Sequence, residues 1–347
     1  VGLLLSVGTA ILHITPPWST FSSSSRSTLE MHSQYSSSDS SMQLQQHEIP
    51  QSVAICAIQK GGIPYLEEWI DYNMLLGFDK IYLYDNSDHH ELHNWTYRED
   101  YVDIVHFPGR KRQFSAYRHC AKRVRRDAQH TWVAFLDLDE FVVLKKHRYI
   151  FEFIEDILTQ HQEINSRKWN ILGGIALNWF MFDFNDQIEY QPLPLTLRFQ
   201  RREAAINMNV KTIVNMALYR KPISPHAFAY RHKHAVVIDT SGTVLQRPTW
   251  FNPKGPSDVA VIHHMNAKSV EEYHQRCARG RADVREKKRI KIDDSAPLYC
   301  RSKAEISDTF EQAAHTNNVN HNLVMDDSAW KLLVEGMPEK YSILKYH

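Results

Sequence analysis

Trp132-Val-Ala-Phe-Leu-Asp-Leu-Asp-Glu-Phe-Val-Val143 is the stretch on which the fold turns. An apolar run with the residue types of a buried strand ends abruptly in three carboxylates, Asp137, Asp139 and Glu140. Strand side chains alternate between faces, so the spacing predicts Asp137 and Asp139 together, with Leu138 on the other side. Two carboxylates side by side at a buried strand end are costly unless positive charge lies between them. A divalent cation carrying a phosphate ligand answers that need, because hard cations take oxygen ligands. The blander reading of so short a motif is an acidic strand end capped by a Lys or Arg. Glu140 alternates away from Asp139 and is expected to pair with a cation such as Arg118 or Lys211, orienting the site without reacting.

Upstream, three strand-like runs lie before this one: residues 53–58, 80–84 and 101–107. A helical pattern opened by Pro64 and stopped by Gly77 separates the first two. A basic-faced helix over 114–126 precedes Trp132. Strands alternating with helices predict an α/β fold with a helix-covered parallel sheet. Ligands of such sheets bind beyond the carboxyl ends of the strands, where Asp85, Gln113 and Asp137 fall. Downstream, residues 149–158 read as a helix. Residues 169–182 read as a strand in which Gly173-Gly174 marks a close backbone approach. Residues 210–219, 235–238 and 259–262 read as strands, and 270–288 as a polar, Arg-rich helix.

Lys and Arg total 41 against 40 Asp and Glu, a near cancellation that argues against a dedicated nucleic-acid binder. The first residue is Val, and residues 1–14 are apolar apart from Ser6, Thr9 and His13. That stretch is shorter than the ~20 residues needed to span a bilayer and is expected to be the remnant of a membrane anchor or signal segment. Residues 15–52 are Ser-rich and cannot bury enough apolar surface to order themselves. Anchor, stem and globular domain in that order is the plan of Golgi enzymes, and the sequon Asn94-Trp95-Thr96 is compatible with a lumenal location. The expectation is a single-pass Golgi membrane protein, anchored upstream of Val1, with its catalytic domain in the lumen. The four cysteines lack CxxC spacing, which argues against structural zinc. Cys56 reads as core and Cys120 as helical. Cys277 and Cys300 are candidates to pair in an oxidising lumen. His89, His90 and His93 read as an exposed loop, without the carboxylate partner a metal site needs.

Five stretches, in order and spacing, carry a resemblance. They are Tyr65-Leu-Glu-Glu-Trp-Ile-Asp-Tyr72 with Leu76-Gly77, Ile81-Tyr-Leu-Tyr-Asp-Asn-Ser87, Gln113-Phe-Ser-Ala-Tyr-Arg-His-Cys120, Trp132 to Phe141, and Ile262-His-His-Met-Asn-Ala-Lys-Ser-Val-Glu-Glu-Tyr273. Together they resemble glycosyltransferase family 92 and its family 2-like GT-A relatives. The resemblance implies a GT-A fold, with a nucleotide-sugar-binding half over 53–200 and an acceptor-binding half with C-terminal helices over 201–347. It implies a UDP-sugar donor, with galactose the expected sugar, a glycan acceptor, Mn2+ or Mg2+, and inversion at the anomeric carbon. It places Asp137 at the donor ribose or sugar and Asp139 on the metal. His263 or His264 would complete the metal site, only one of the two reaching it because neighbours on a strand face opposite ways. The Asp85-Asn86 turn and Gln113 would hold the nucleoside base. One departure stands out: Gln59-Lys60-Gly61-Gly62 occupies the place where the family usually carries an Asn-Glu pair.

An inverting transfer needs one general base on the acceptor side, and Asp183 and Glu203, each after a strand-like run, are the candidates; an ordinary surface carboxylate is the alternative for each. Lys211, Lys268 and Arg279 are the cations expected to contact the donor, the last two as a diphosphate clamp. The later basic residues up to Lys291 read as a solvated helix face. A haloacid-dehalogenase-type phosphohydrolase also places Asp-x-Asp after an apolar strand, but on the first strand and with Thr or Val where this chain has Phe141. An inactive nucleotide-sugar-binding protein of the same fold, suggested by Gln59, is the other rival. A nucleotidyltransferase would carry a Gly-rich loop that Gly61-Gly62 matches poorly.

Overall fold

The computed structural model describes residues 52–127, 130–165, 170–246, 249–279 and 323–346. The apolar start, the Ser-rich stem up to Gln51, Cys300 and the basic positions from Arg281 to Lys291 lie outside the described residues. Among the described residues no helix is long and apolar enough to cross a membrane.

The first half follows the alternation of the sequence. Strand β1 (Val53–Gln59) leads into helix α1 (Ile63–Leu75), then β2 (Lys80–Asp85), β3 (Val102–His106), α2 (Gln113–Asp127) and β4 (Trp132–Phe135). β1 runs parallel to both β2 and β4, and β2 parallel to β3. The period of two sorts β1 between two cores. Val53, Ile55 and Ala57 pack with α1 residues such as Leu66, Trp69 and Ile70, while Ala54 and Cys56 pack with Ala116, Tyr117 and Cys120 of α2. Gly77, at φ +81°, ends the first helix where a Cβ would come within 3.3 Å of the Tyr149 ring.

Beyond β4 the sheet is not purely parallel, which corrects the expectation. Strand β5 (Glu140–Leu144) follows at once, then α3 (Ile150–Asn165) and the long β6 (Ile171–Met181). After α4 (Leu195–Arg198) and β7 (Arg201–Glu203) come β8 (Asn207–Asn215), β9 (Tyr219–Pro222), β10 (Phe228–Tyr230), β11 (Ala235–Asp239) and β12 (Ala260–His264). The nine-stranded sheet has the order β3-β2-β1-β4-β8-β6-β12-β5, with β11 also paired to β6. β8 inserts antiparallel between β4 and β6, and β5 closes the edge antiparallel to β12. A Rossmann-like parallel half is thus merged with a mixed half in one sheet, the GT-A arrangement expected from the resemblance, and the sheet is continuous across residue 200.

β5 was hidden in the sequence because its apolar run looks like a continuation of β4. It is an edge strand, and α1 covers it: Trp69 Nε1 donates to the Glu140 carbonyl at 3.0 Å and the Tyr72 hydroxyl to the Val142 carbonyl at 2.7 Å. Gly173 and Gly174 do mark a close approach, since a Cβ on Gly174 would lie 2.5 Å from the Tyr230 hydroxyl. The expected strand over 210–219 is broken by a turn between β8 and β9. The chain continues through α5 (Val270–Arg279), β13 (Leu323–Met325), α6 (Ser328–Gly336) and α7 (Pro338–Tyr341). β13 pairs with β7. α7 is anchored by Lys340 and Tyr341, both bonded at 2.8 Å to Asp71, a carboxylate of α1 with no exposure.

Cys56 and Cys120 form a disulfide between β1 and α2. Reading Cys56 as an ordinary core residue missed this bridge, because the sequence does not show which helix face meets β1. The side chain of Cys277 and the whole of Cys300 lie outside the described residues.

Candidate active site

The three carboxylates of the opening stretch sit in and just after the turn between β4 and β5. Asp137, Leu138 and Asp139 are not on a strand, so strand alternation does not align the two aspartates; the turn closes instead through Glu140 N–H donating to the Asp137 carbonyl at 3.1 Å. The result is two neighbouring sites with separate partners.

At the first, Lys211 of β8 is buried and its ammonium lies 2.8 Å from Asp137 Oδ2 and 3.1 Å from Glu140 Oε2. Gln113, at the start of α2, donates to Asp137 Oδ1 at 3.2 Å and to the Tyr117 hydroxyl at 3.1 Å. The Asp137 side chain remains 34% exposed, so it still faces solvent while held from behind. Burial pushes the Glu140 carboxyl up to about 7, against the pull of Lys211. Burial alone would lower Lys211, yet the two carboxylates hold its ammonium well above the ordinary lysine range. Of the two cations expected for Glu140, its partner is Lys211 and not the exposed Arg118.

At the second, β12 delivers its histidines in opposite directions. His264 Nε2 lies 3.6 Å from Asp139 Oδ1, and Lys268 Nζ lies 2.7 Å from Asp139 Oδ2. Burial opposes charge on Asp139, but Lys268 and His264 hold its carboxyl well below the usual range. His263 turns the other way, its Nε2 3.4 Å from Asp326 Oδ2, so the structure does not bring it to Asp139. Asp326 also accepts from Arg202 Nε at 2.7 Å and Ser328 Oγ at 2.6 Å. His263 belongs to this strut under the C-terminal segment. Lys268 sits at φ +56°, a left-handed backbone that a lysine adopts only when its surroundings impose it. They do so through the helix start that follows. Ser269 Oγ donates to Glu272 Oε2 at 2.6 Å, and the Ser269 N–H reaches the same oxygen at 3.0 Å. Arg198 Nη2 donates to Glu272 at 2.6 Å, and the Tyr65 hydroxyl adds a further bond to that carboxylate. Ser269-Val-Glu-Glu272 is a capping box, a signal present in the sequence and missed there.

Two of the residues expected to hold the nucleoside base, Asp85 and Asn86, bond to the protein's own loops. Asp85, fully buried, accepts from Gln59 Nε2 at 2.8 Å, Ser87 N–H at 3.0 Å and Leu92 N–H at 3.2 Å. Asn86 donates at 2.8 Å to the carbonyls of Phe107 and Gly109. Both hold the loops that frame the strand ends, with side chains spent on the frame. Gln59, the unusual residue at its position, ties β1 to β2 through Asp85 and accepts from Gly62 N–H at 3.0 Å.

Both base candidates line one cavity of about 160 Å3, together with Met181, Phe182, Asn266, Ala267 and Leu323. Asn266 and Ala267 lie on the segment joining His264 to Lys268, and Met265 N–H donates to the Asp139 carbonyl at 2.9 Å. The cavity thus adjoins the Asp139 site. Asp183 is half-buried and Glu203 exposed. Arg279 ends α5, with its side chain outside the described residues; Arg276, one turn earlier, donates to the Asn266 carbonyl at 2.6 Å. His90 and His93 lie on a turn, His90 stacked on His106 at 4.4 Å.

Asp139 and His264 suit a divalent cation, being a carboxylate and an imidazole converging at a distance that one ion can bridge. No group of three or more His, Cys, Asp or Glu able to hold a metal occurs among the described residues.

Comparison with known proteins agrees with the sequence motifs. A glycosyltransferase family 92 protein of Arabidopsis thaliana is 30% identical over 104 residues, 29% of this chain and 18% of that protein. Family 92 proteins of Ricinus communis and Oryza sativa are each 32% identical over 97 and 95 residues, covering 27% and 26% of this chain and 16% of each relative. The chain matches less than a fifth of the length of these relatives. Among solved structures, S. aureus TarS 1-349 in complex with UDP aligns with a TM-score of 0.31 and 11% identity over 48% of this chain and 47% of that one. The glycosyltransferase family 92 model matches residues 53–295, from the first strand through the Asp139 site and past α5, and the chain belongs to that family.

Proposed function

We propose that this chain transfers a sugar from a UDP-sugar to a hydroxyl of a glycan acceptor, with inversion, using a divalent cation held by Asp139 and His264. The observation that carries the reading is the meeting of Asp139 Oδ1 and His264 Nε2 at 3.6 Å, beside a cavity lined by two further carboxylates. The cation, Mn2+ or Mg2+, supplies positive charge to offset the charge gathering on the departing diphosphate. Lys268, fixed beside Asp139, adds a second cation on the same side. Asp137, held from behind by Lys211 and Gln113, presents its exposed edge to the donor's ribose. Asp183 or Glu203 takes the proton of the acceptor hydroxyl as its oxygen attacks the anomeric carbon. The bond to the diphosphate breaks on the opposite face, and the nucleoside diphosphate leaves with the electron pair. An α-linked UDP-sugar then gives a β-linked product. Galactose is the sugar we propose, on family resemblance.

The Cys56–Cys120 bridge supports an oxidising compartment, in keeping with the Golgi-lumenal domain that we propose. The test is a donor-hydrolysis screen over nucleotide sugars with manganese present or chelated. Manganese-dependent release of UDP from one UDP-sugar is the expected result. Binding without turnover, with or without acceptor, would make the chain an inactive sugar-nucleotide-binding member of the family.

A further inference from the structure

Trp179, near the end of β6, stands between the two carboxylate sites. Its cross-strand neighbours are Asn207 of β8, the strand that carries Lys211, and Ile262 of β12, the strand that carries His264. Its ring packs edge-on against His264 with centroids 4.4 Å apart, and lies 5.1 Å from the ring of His226. The residue is only 8% exposed, and its indole N–H is buried without a hydrogen-bond partner. Buried tryptophan N–H groups normally find an acceptor, and one left without is costly. Indole is a donor only, so its missing partner is an acceptor oxygen.

Position narrows which oxygen. The diphosphate belongs beside Asp139 and His264. The acceptor hydroxyl belongs in the cavity that Met181, Phe182 and Asp183 line, two to four residues beyond Trp179 on the same chain segment. Trp179 touches the first of these through the His264 ring and lies two residues before Met181, which lines the second. We infer that the indole N–H of Trp179 donates a hydrogen bond to a hydroxyl of the sugar being transferred, making Trp179 a specificity-determining residue for the donor. The inference rests on the glycosyl-transfer reading above. A site built to bond a hydroxyl rejects a sugar lacking it, because the buried donor is then left unpaired.

Trp179→Phe keeps an aromatic ring against His264 and removes only the N–H. Calorimetric titration should show UDP binding within about twofold of wild type and binding of the intact UDP-sugar weakened about tenfold, the size of one hydrogen bond. Analogues of the donor lacking one sugar hydroxyl complete a cycle: one of them should bind wild type about tenfold more weakly, yet bind Trp179→Phe as well as the parent sugar does. In wild type, the Trp179 indole 1H–15N signal should move on addition of intact UDP-sugar and stay in place with UDP alone, a readout that needs no folded variant. Equal loss of UDP and UDP-sugar affinity would mark a purely structural tryptophan and overturn the inference, as would unchanged affinity for both. A wild-type protein that binds no sugar nucleotide would overturn the glycosyl-transfer reading first; one that binds it with the indole signal unmoved would overturn this inference alone.

Discussion

Lys211 shows at the scale of one residue what the sequence could and could not show. That Glu140 needs a cation was legible, with Arg118 and Lys211 both open, because a carboxylate beside Asp139 in a buried stretch demands one. The second bond of Lys211, to Asp137, was not, because that depends on β8 entering the sheet beside β4. The roles of Asp85 and Asn86 were illegible for a related reason. A turn motif at a strand end has the same letters whether its side chains meet a ligand or close their own loop. Removing Lys211 should be severe. Lys211→Met strands two carboxylates around a buried site, and breaking a buried ion pair costs about 3–5 kcal/mol. Thermal melts should show a large loss of stability, partly restored by adding Glu140→Gln; an unchanged melting temperature would mean the pair is not formed. Glu140 also sets a pH dependence. Its folded pKa, raised to about 7, means that it contributes stability below the ordinary Glu value near 4.5, and that this contribution fades as pH rises through about 7. Glu140→Gln should therefore flatten the change in melting temperature between pH 5 and 8 relative to wild type.

At the scale of elements, β12 is the case in which one sequence rule sufficed. Alternation said that one of two adjacent histidines would reach the site, and the structure turns His264 to Asp139 and His263 to Asp326. The two alanine variants should separate cleanly. His264→Ala should weaken manganese binding with little change in stability, by at least the roughly 10–100-fold seen when groups that merely orient metal ligands are removed. His263→Ala should lower the melting temperature, by loosening the Arg202–Asp326 strut, and leave manganese affinity near normal. Equal effects on both readouts would deny the division of labour. β4 and β5 are the opposite case. A continuous apolar run with charges inside it reads as one strand, and only the pairing of β5 with β12 shows that the chain reverses at Leu138.

At the scale of the whole molecule, the order of the first four strands and their helices was legible from alternation and turn residues. The antiparallel strand in the middle was not, because the residue pattern of β8 marks a strand without fixing its direction or its neighbours. The last segment locks onto the first half through Asp71 and onto the second through Asp326, contacts between residues far apart in sequence that no local pattern announces. Asp326, together with Glu272 of α5, should govern acid stability. Burial works against charge on Asp326 and Glu272, but their hydrogen-bonded cations and donors hold both carboxyls below the usual range. Their contribution is present above the ordinary carboxylate pKa, about 4, and is lost as pH falls below it. Melting temperature should drop steeply between pH 5 and 3, and Asp326→Asn should lower the starting stability and blunt that drop.

The central claim is that Asp139, with His264, binds the cation that carries the donor diphosphate. Manganese binding followed by electron paramagnetic resonance, with and without UDP, tests it most directly on the whole chain. Wild type should bind one manganese ion, more tightly when UDP is present, and Asp139→Ala should lose at least tenfold in affinity while still melting in a single cooperative transition. Manganese and UDP bound as well by Asp139→Ala as by wild type would contradict the account.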